Sequence, residues 1–368
     1  MKPSALSSLL LALGVLLQAC STGTKSFTDS TGRVDPDGIA FLEPVTLGGH
    51  RQWLLVRGAN KTNPILLFLH GGPGSSYIGL AHTFQGELEK HFVVVQWDQR
   101  GSGKSFPDTP PQSMTVDQFH ADTHELVLLL RQRFQRDKIY LLGHSWGAFL
   151  GITEAKNHPE NLYAYIGAGQ MIDLVKQEQL SHDFVTERAR AGNNEKALKQ
   201  LSEIGYPPYR DAAKGMDAKY SWMWEYGGMI EGETGPFPFV KALLMAKEYS
   251  LLDISRFVRG TSFSLQQLAD NEGEGFWRLK APEAATGFQV PIFFVTGEHD
   301  RVTPAALVEK YTSELHAPMK QSIIIRNAGH FAFFTDPQKF STTLIEIRNR
   351  TYPQQARSSA GEQPALEK

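Results

Sequence analysis

Residues 139–142, Ile-Tyr-Leu-Leu, run directly into Gly143-His144-Ser145-Trp146-Gly147, and eight helix-compatible residues, 148–155, follow. An unbroken apolar run marks a strand buried on both faces. Gly-x-Ser-x-Gly at the junction of such a strand with a helix dictates a sharp turn, in which the serine backbone is strained and its hydroxyl stands clear of the sheet edge. The two glycines let strand and helix pass closely with no Cβ between them. A chain with 33 glycines can produce the pattern by chance. The strand before it and the helix after it give it weight here.

The same apolar signature recurs at 65–69, 92–97, 162–167, 290–296 and 321–325. Alternating residues at 39–45 and 52–56 read as an antiparallel hairpin turning at Gly48-Gly49. Thr115 caps a helix whose apolar positions Val116, Phe119, Leu126, Val127, Leu130 and Phe134 share one face. Strand, helix, strand in this rhythm predicts an α/β fold, a mainly parallel sheet with helices on both faces. The rhythm breaks near Gln170. Helix-like segments at 183–191, 195–204 and 239–249, separated by Gly and Pro clusters, predict a helical cap inserted over 170–286. The core is then 38–169 and 287–352, with a closing helix at 336–348 and a polar, disordered tail at 353–368.

With 368 residues, 41% hydrophobic and 21% charged, the chain can bury a substantial core, and its net charge of -2 offers no basic footprint for nucleic acid. It has a single cysteine, Cys20, so no internal disulfide forms. Lys2, an apolar run over 9–17 and Leu17-Gln18-Ala19-Cys20 describe a secretory signal over 1–19, too short to span a bilayer. The ending resembles the lipobox of bacterial lipoproteins. That resemblance implies an acylated Cys20, a flexible tether over 20–37 and, with Ser21 after the cysteine, anchorage at the outer membrane facing the periplasm.

Three further loops follow apolar runs. His70-Gly71-Gly72-Pro73-Gly74 can turn backbone N–H groups toward a bound oxygen, and Gly72-Pro73 is suited to a cis bond. Asp98-Gln99-Arg100-Gly101-Ser102-Gly103-Lys104-Ser105 imitates a phosphate loop, but Asp98 stands where a glycine is required and the prolines after it preclude the necessary helix; Asp98 and Arg100 are structural. A serine needs a base to take its proton and an acid to orient that base. Ser145 is the candidate nucleophile, His330 in Asn327-Ala328-Gly329-His330 the base, and Asp300 in Gly297-Glu298-His299-Asp300 the acid, with Glu298 as the alternative. The backbone N–H groups of Trp146 and Gly72 would form the oxyanion hole. This chemistry requires no metal and no organic cofactor.

HGGPG at 70–74, DQRGSGKS at 98–105 and GHSWG at 143–147 together resemble the proline iminopeptidase family of α/β-hydrolases over about residues 39–350. The resemblance implies an α/β-hydrolase fold with a helical cap, and removal of an N-terminal proline or other small apolar residue from peptides through an acyl-enzyme. It implies a cap glutamate reading the substrate's ammonium. Glu225, beside Trp222 and Trp224, is the matching residue, although the tryptophan spacing is shifted and His144 replaces the family's usual glycine. An esterase or amidase acting on small acyl compounds is the rival reading, and a noncatalytic binding lipoprotein of the same fold a remote one.

Overall fold

The computed structural model describes residues 22–353. The signal segment, Cys20 and the tail from 354 onward lie outside the described residues. Eight strands form one sheet: β1 (Ile39–Leu47), β2 (His50–Gly58), β3 (Ile65–Leu69), β4 (Val93–Asp98), β5 (Ile139–Ser145), β6 (Leu162–Gln170), β7 (Ile292–Gly297) and β8 (Lys320–Ile325), in the order β1-β2-β4-β3-β5-β6-β7-β8. β2 pairs antiparallel with β1 and β4, and every other pairing is parallel. The hairpin turns at Gly48-Gly49 as its sequence implies.

Both faces of the central strands are covered, which is why they read as solid apolar runs. Leu67, Leu141 and Phe294 enter one core, while Leu66, Phe68, Leu142 and Phe293 enter the other. The period-two alternation of strand side chains makes that partition. Helices α1 (Val116–Phe134) and α2 (Trp146–Asn157) cover the first face, and Thr115 caps α1 by accepting from Gln118 N–H. Five helices lie between β6 and β7: α3 (Leu174–Ala191), α4 (Glu195–Ile204), α5 (Ala212–Glu225), α6 (Phe237–Met245) and α7 (Leu251–Glu272). After β7 come α8 (Ala305–Glu314), α9 (Ala332–Thr335) and α10 (Pro337–Thr351), with Phe340, Leu344 and Ile347 of α10 closing the second core.

Sequence periodicity does not reveal α7, because its pattern is inverted. Asp253, Gly260 and Ser264 are buried, whereas Leu251, Leu252 and Val258 face out. Polar contacts with the core loops add to the apolar packing of Leu268 and Ala269 near its end. Asp253 pairs with Lys104 at 2.8 Å, Thr261 and Ser264 donate to the carbonyls of Gly74 and Gly101, Asn271 donates to Pro111 and Met114, and Glu272 accepts from Val116 N–H.

Residues 22–37 are not the loose tether expected of them. Lys104 Nζ donates to Thr22 Oγ1 at 2.8 Å, Thr24 Oγ1 donates to Glu248, and Arg57 donates to Thr24 Oγ1 and to the carbonyl of Lys25, both at 2.6 Å. Lys104 and Arg57 of the core and Glu248 of the cap hold the start of this polar segment, which composition alone does not show. None of the helices among the described residues is long and apolar enough to cross a membrane.

Asp98 and Arg100 are structural as expected. Asp98 accepts from Lys104 N–H, Ser76 and Tyr249, and Arg100 makes a fully buried fork to Asp122 at 2.7 and 2.9 Å.

Candidate active site

Ser145 ends β5 with φ 54° and ψ -115°, a left-handed backbone that a non-glycine residue adopts only under constraint. The constraint is steric. A Cβ on Gly143 would lie 2.3 Å from the carbonyl oxygen of Gly147, and one on Gly147 would lie 2.2 Å from that of Leu69. Trp146 opens α2, so its N–H has no intrahelical acceptor. In the loop after β3, Gly71 N–H is committed to Tyr77 Oη at 3.1 Å, while Gly72, at φ 116° before a cis bond to Pro73, makes no hydrogen bond through its N–H among the described residues.

His330 follows β8, and its Nδ1 donates to Asp300 at 2.9 and 3.1 Å. That bond fixes the tautomer and leaves Nε2 as the acceptor nitrogen. Asp300 also accepts from the N–H groups of Val302 and Thr303 and from Thr303 Oγ1 at 2.6 Å. Burial pushes the Asp300 carboxyl up, but the charge of His330 and the hydrogen bonds from His330 and Thr303 outweigh it and hold the group below its ordinary range. Asp300 is therefore an anion dedicated to His330.

Ser145 and His330 wall one cavity of about 250 Å³, together with Gly72. Ser145 Oγ makes no hydrogen bond among the described residues. A smaller chamber of about 30 Å³, room for one water-sized group, shares Ser145 and Gly72 with it and is also walled by Trp146. Glu178 lines this chamber. It is buried, its Oε1 accepts from Lys219 Nζ at 2.8 Å and from Tyr220 Oη at 3.1 Å, and its Oε2 has no partner. Burial lowers the Lys219 pKa, against the pull of Glu178.

The geometry corrects two of the three expected cap residues. Met216, Asp217, Tyr220, Ser221 and Trp224 of α5 line the cavity, a stripe at helical spacing. Trp222 stands about 200° around the helix from Trp224, donates to Gln200 and stacks on Tyr226 outside the cavity. Glu225 is exposed and lines neither chamber. Trp224 does line the cavity, its ring 6.1 Å from that of Phe331.

Sequence reasoning noted His144 only as a departure from the family pattern and passed over Tyr77, Thr303, Glu178 and Lys219. Thr303, three residues beyond Asp300, carried a local sign, since short polar side chains at that spacing close turns. Glu178 and Lys219 lie on different cap helices, and no local signal joins them. His124, Glu154 and His158 could hold a metal ion, with donor atoms within 4.8 Å of one another, but they lie outside both chambers.

The family model described as alpha/beta hydrolase fold matches residues 64–337. A Bacillus subtilis protein named "Probable aminopeptidase YbaC" is 32% identical over 308 residues, 83% of this chain and 95% of that one. The proline iminopeptidase of Thermoplasma volcanium is 23% identical over 77% of this chain and 88% of its own. The crystal structure of the Mycobacterium smegmatis proline iminopeptidase superposes with a TM-score of 0.59 at 18% identity, covering 87% of this chain and 99% of that one. The chain belongs to the alpha/beta hydrolase family and is a hydrolase.

Proposed function

We propose that the protein is a serine hydrolase that works through an acyl-enzyme and releases an N-terminal proline or other small apolar residue from peptides. The Asp300–His330 pair carries this reading, because it sets an acceptor nitrogen into the cavity that Ser145 walls. His330 Nε2 takes the Ser145 proton as Oγ attacks the scissile carbonyl carbon, and the new oxyanion accepts from the N–H groups of Gly72 and Trp146. Each such donor is worth roughly 3 kcal/mol to the tetrahedral intermediate. Collapse expels the amine, protonated by His330, and water then releases the acyl group by the same steps in reverse.

The relatives' names support an aminopeptidase. So does an unpartnered carboxylate oxygen, that of Glu178, at a chamber with room for one small cationic group beside Ser145. Glu178 thus takes the role that the family resemblance gave to Glu225. A second reading, esterase or amidase on small acyl compounds, draws on the apolar wall of Met216, Trp224, Met229 and Phe331. A fluorophosphonate probe tests the serine mechanism: an adduct at Ser145 is expected, and its absence rejects the mechanism. Proline-naphthylamide compared with its N-acetylated form and with p-nitrophenyl acetate tests the substrate. A peptidase that reads the amine turns over only the free-amine amide efficiently, and equal use of the acetylated compound removes the aminopeptidase reading.

A further inference from the structure

Seven of the eleven large apolar side chains exposed among the described residues fall within 237–258: Phe237, Val240, Leu244, Met245, Leu251, Leu252 and Val258. They form two outward stripes. On α6, Phe237, Val240 and Leu244 recur at i, i+3 and i+7, while Phe239, Ala242 and Leu243 face inward. On the first turns of α7, Leu251 and Val258 recur at i and i+7, with Leu252 beside Leu251. Such a concentration is unusual for a surface that meets only water.

Within 237–259 the exposed charges are of one sign, although Glu231 and Glu233 are exposed just before α6. Lys241, Lys247 and Arg259 are exposed, whereas the acids of the same stretch, Glu248 and Asp253, are buried in bonds to Thr24 and Lys104. The N-terminal segment leaves the body here too. Gly23 N–H donates to the carbonyl of Lys247, Thr24 bonds Glu248, and Thr22 bonds Lys104, which pairs with Asp253 of α7.

We propose that the outer face of α6 and the start of α7 docks on an anionic lipid bilayer. The leucine, phenylalanine and methionine side chains enter the acyl boundary, and Lys241, Lys247 and Arg259 meet the phosphates. The occupant is lipid because three features coincide on one side: an apolar centre, cationic surroundings, and the exit of the residues that precede Thr22. Any acyl chain on Cys20 would enter the membrane beside this face, and a lipid chain plus a cationic apolar surface is the two-signal arrangement that stable anchoring needs. Further along α7, Thr261 and Leu265 wall the active-site cavity, so one helix would face both the bilayer and the substrate.

The test uses the full chain carrying Cys20→Ser, to exclude acylation, with vesicles of phosphatidylglycerol and phosphatidylcholine. Adding Leu244→Glu, Leu251→Glu and Leu252→Glu together is expected to lower vesicle partitioning at least about tenfold, with activity toward a soluble substrate unchanged. A milder set, the same three leucines changed to serine, serves if the charged set misfolds. Independently, a spin label on Cys20→Ser/Leu252→Cys is expected to become accessible to oxygen and shielded from a water-soluble nickel relaxant on vesicles, while one at Glu314→Cys stays in water. Unchanged partitioning, or a label at 252 that stays in water on vesicle-bound protein, overturns the proposal. So does a dimer that the leucine substitutions dissolve, which would make a second copy the occupant, or shielding of position 252 in the absence of vesicles, which would make residues 1–21 the occupant.

Discussion

His144 Nε2 lies 2.8 Å from the backbone carbonyl oxygen of His330, and His144 Nδ1 lies 2.6 Å from Tyr77 Oη. A carbonyl only accepts, so Nε2 carries the proton and Nδ1 accepts from the tyrosine. Burial, followed by the charge of His330, holds the His144 pKa well below its ordinary value, so the ring stays neutral. The residue preceding Ser145 thus anchors the backbone of the proposed base.

If that anchor positions His330, His144→Leu will lower kcat roughly 10- to 100-fold while KM moves less than about threefold. His144→Gln, whose amide can still donate to the carbonyl, will recover part of the loss. Steady-state kinetics on proline-naphthylamide measures both. Equal losses in the two variants would leave His144 a merely structural residue.

Glu178 and Glu225 make opposite predictions. Glu225→Gln, on the solvent side of α5, will keep kcat/KM within about twofold for every substrate, as exposed substitutions usually do. Glu178→Gln with Lys219→Met, which removes the buried pair together and leaves no orphaned charge, will cost amine-bearing substrates at least about tenfold while sparing p-nitrophenyl acetate. Parallel loss on both substrates would show that the pair supports the site only as a whole.

His70 makes stability depend on pH. Its Nδ1 donates to the carbonyl of Gly71 and its Nε2 accepts from Gln99 N–H, and burial depresses its pKa to about 4 from 6.5. Unfolding frees the ring to bind a proton. Its contribution is therefore whole above pH 6.5 and is lost as pH falls toward about 4. Between neutral pH and pH 4.5 this one group removes about 2–3 kcal/mol. Urea unfolding at both values, for the parent chain and for His70→Asn, should show a smaller drop in the variant by that amount.

Arg100 and Asp122 are both fully buried and bonded through a two-point fork. Asp122→Asn leaves the guanidinium without its counter-charge and should cost about 3–5 kcal/mol, read as a lowered urea midpoint with an unchanged m-value. A loss below about 1 kcal/mol would show that Ser113 and the neutral amide suffice to hold Arg100.

The sequence disclosed those parts of the molecule whose physics is local. Solid apolar runs located the buried strands because both sheet faces are covered, and the Gly-Ser-Gly frame located Ser145 because only glycines fit the two crossings. Asp300 and His330 were legible from their places after β7 and β8. The cap was not. Its burial depends on polar pairs between helices distant in sequence, such as Glu178 with Lys219 and Lys104 with Asp253, and such pairs leave no period to read. Glu225 illustrates the limit: its tryptophan-glutamate motif is present, yet one step of about 100° around α5 separates it from the cavity wall.

The six polar attachments of α7 divide the cap into unequal parts. From Asp253 to Glu272 that helix is riveted to the loops that carry Gly74, Gly101 and Lys104, and it belongs mechanically to the sheet below. Any cap movement that leaves these bonds intact is confined to the helices that precede α7.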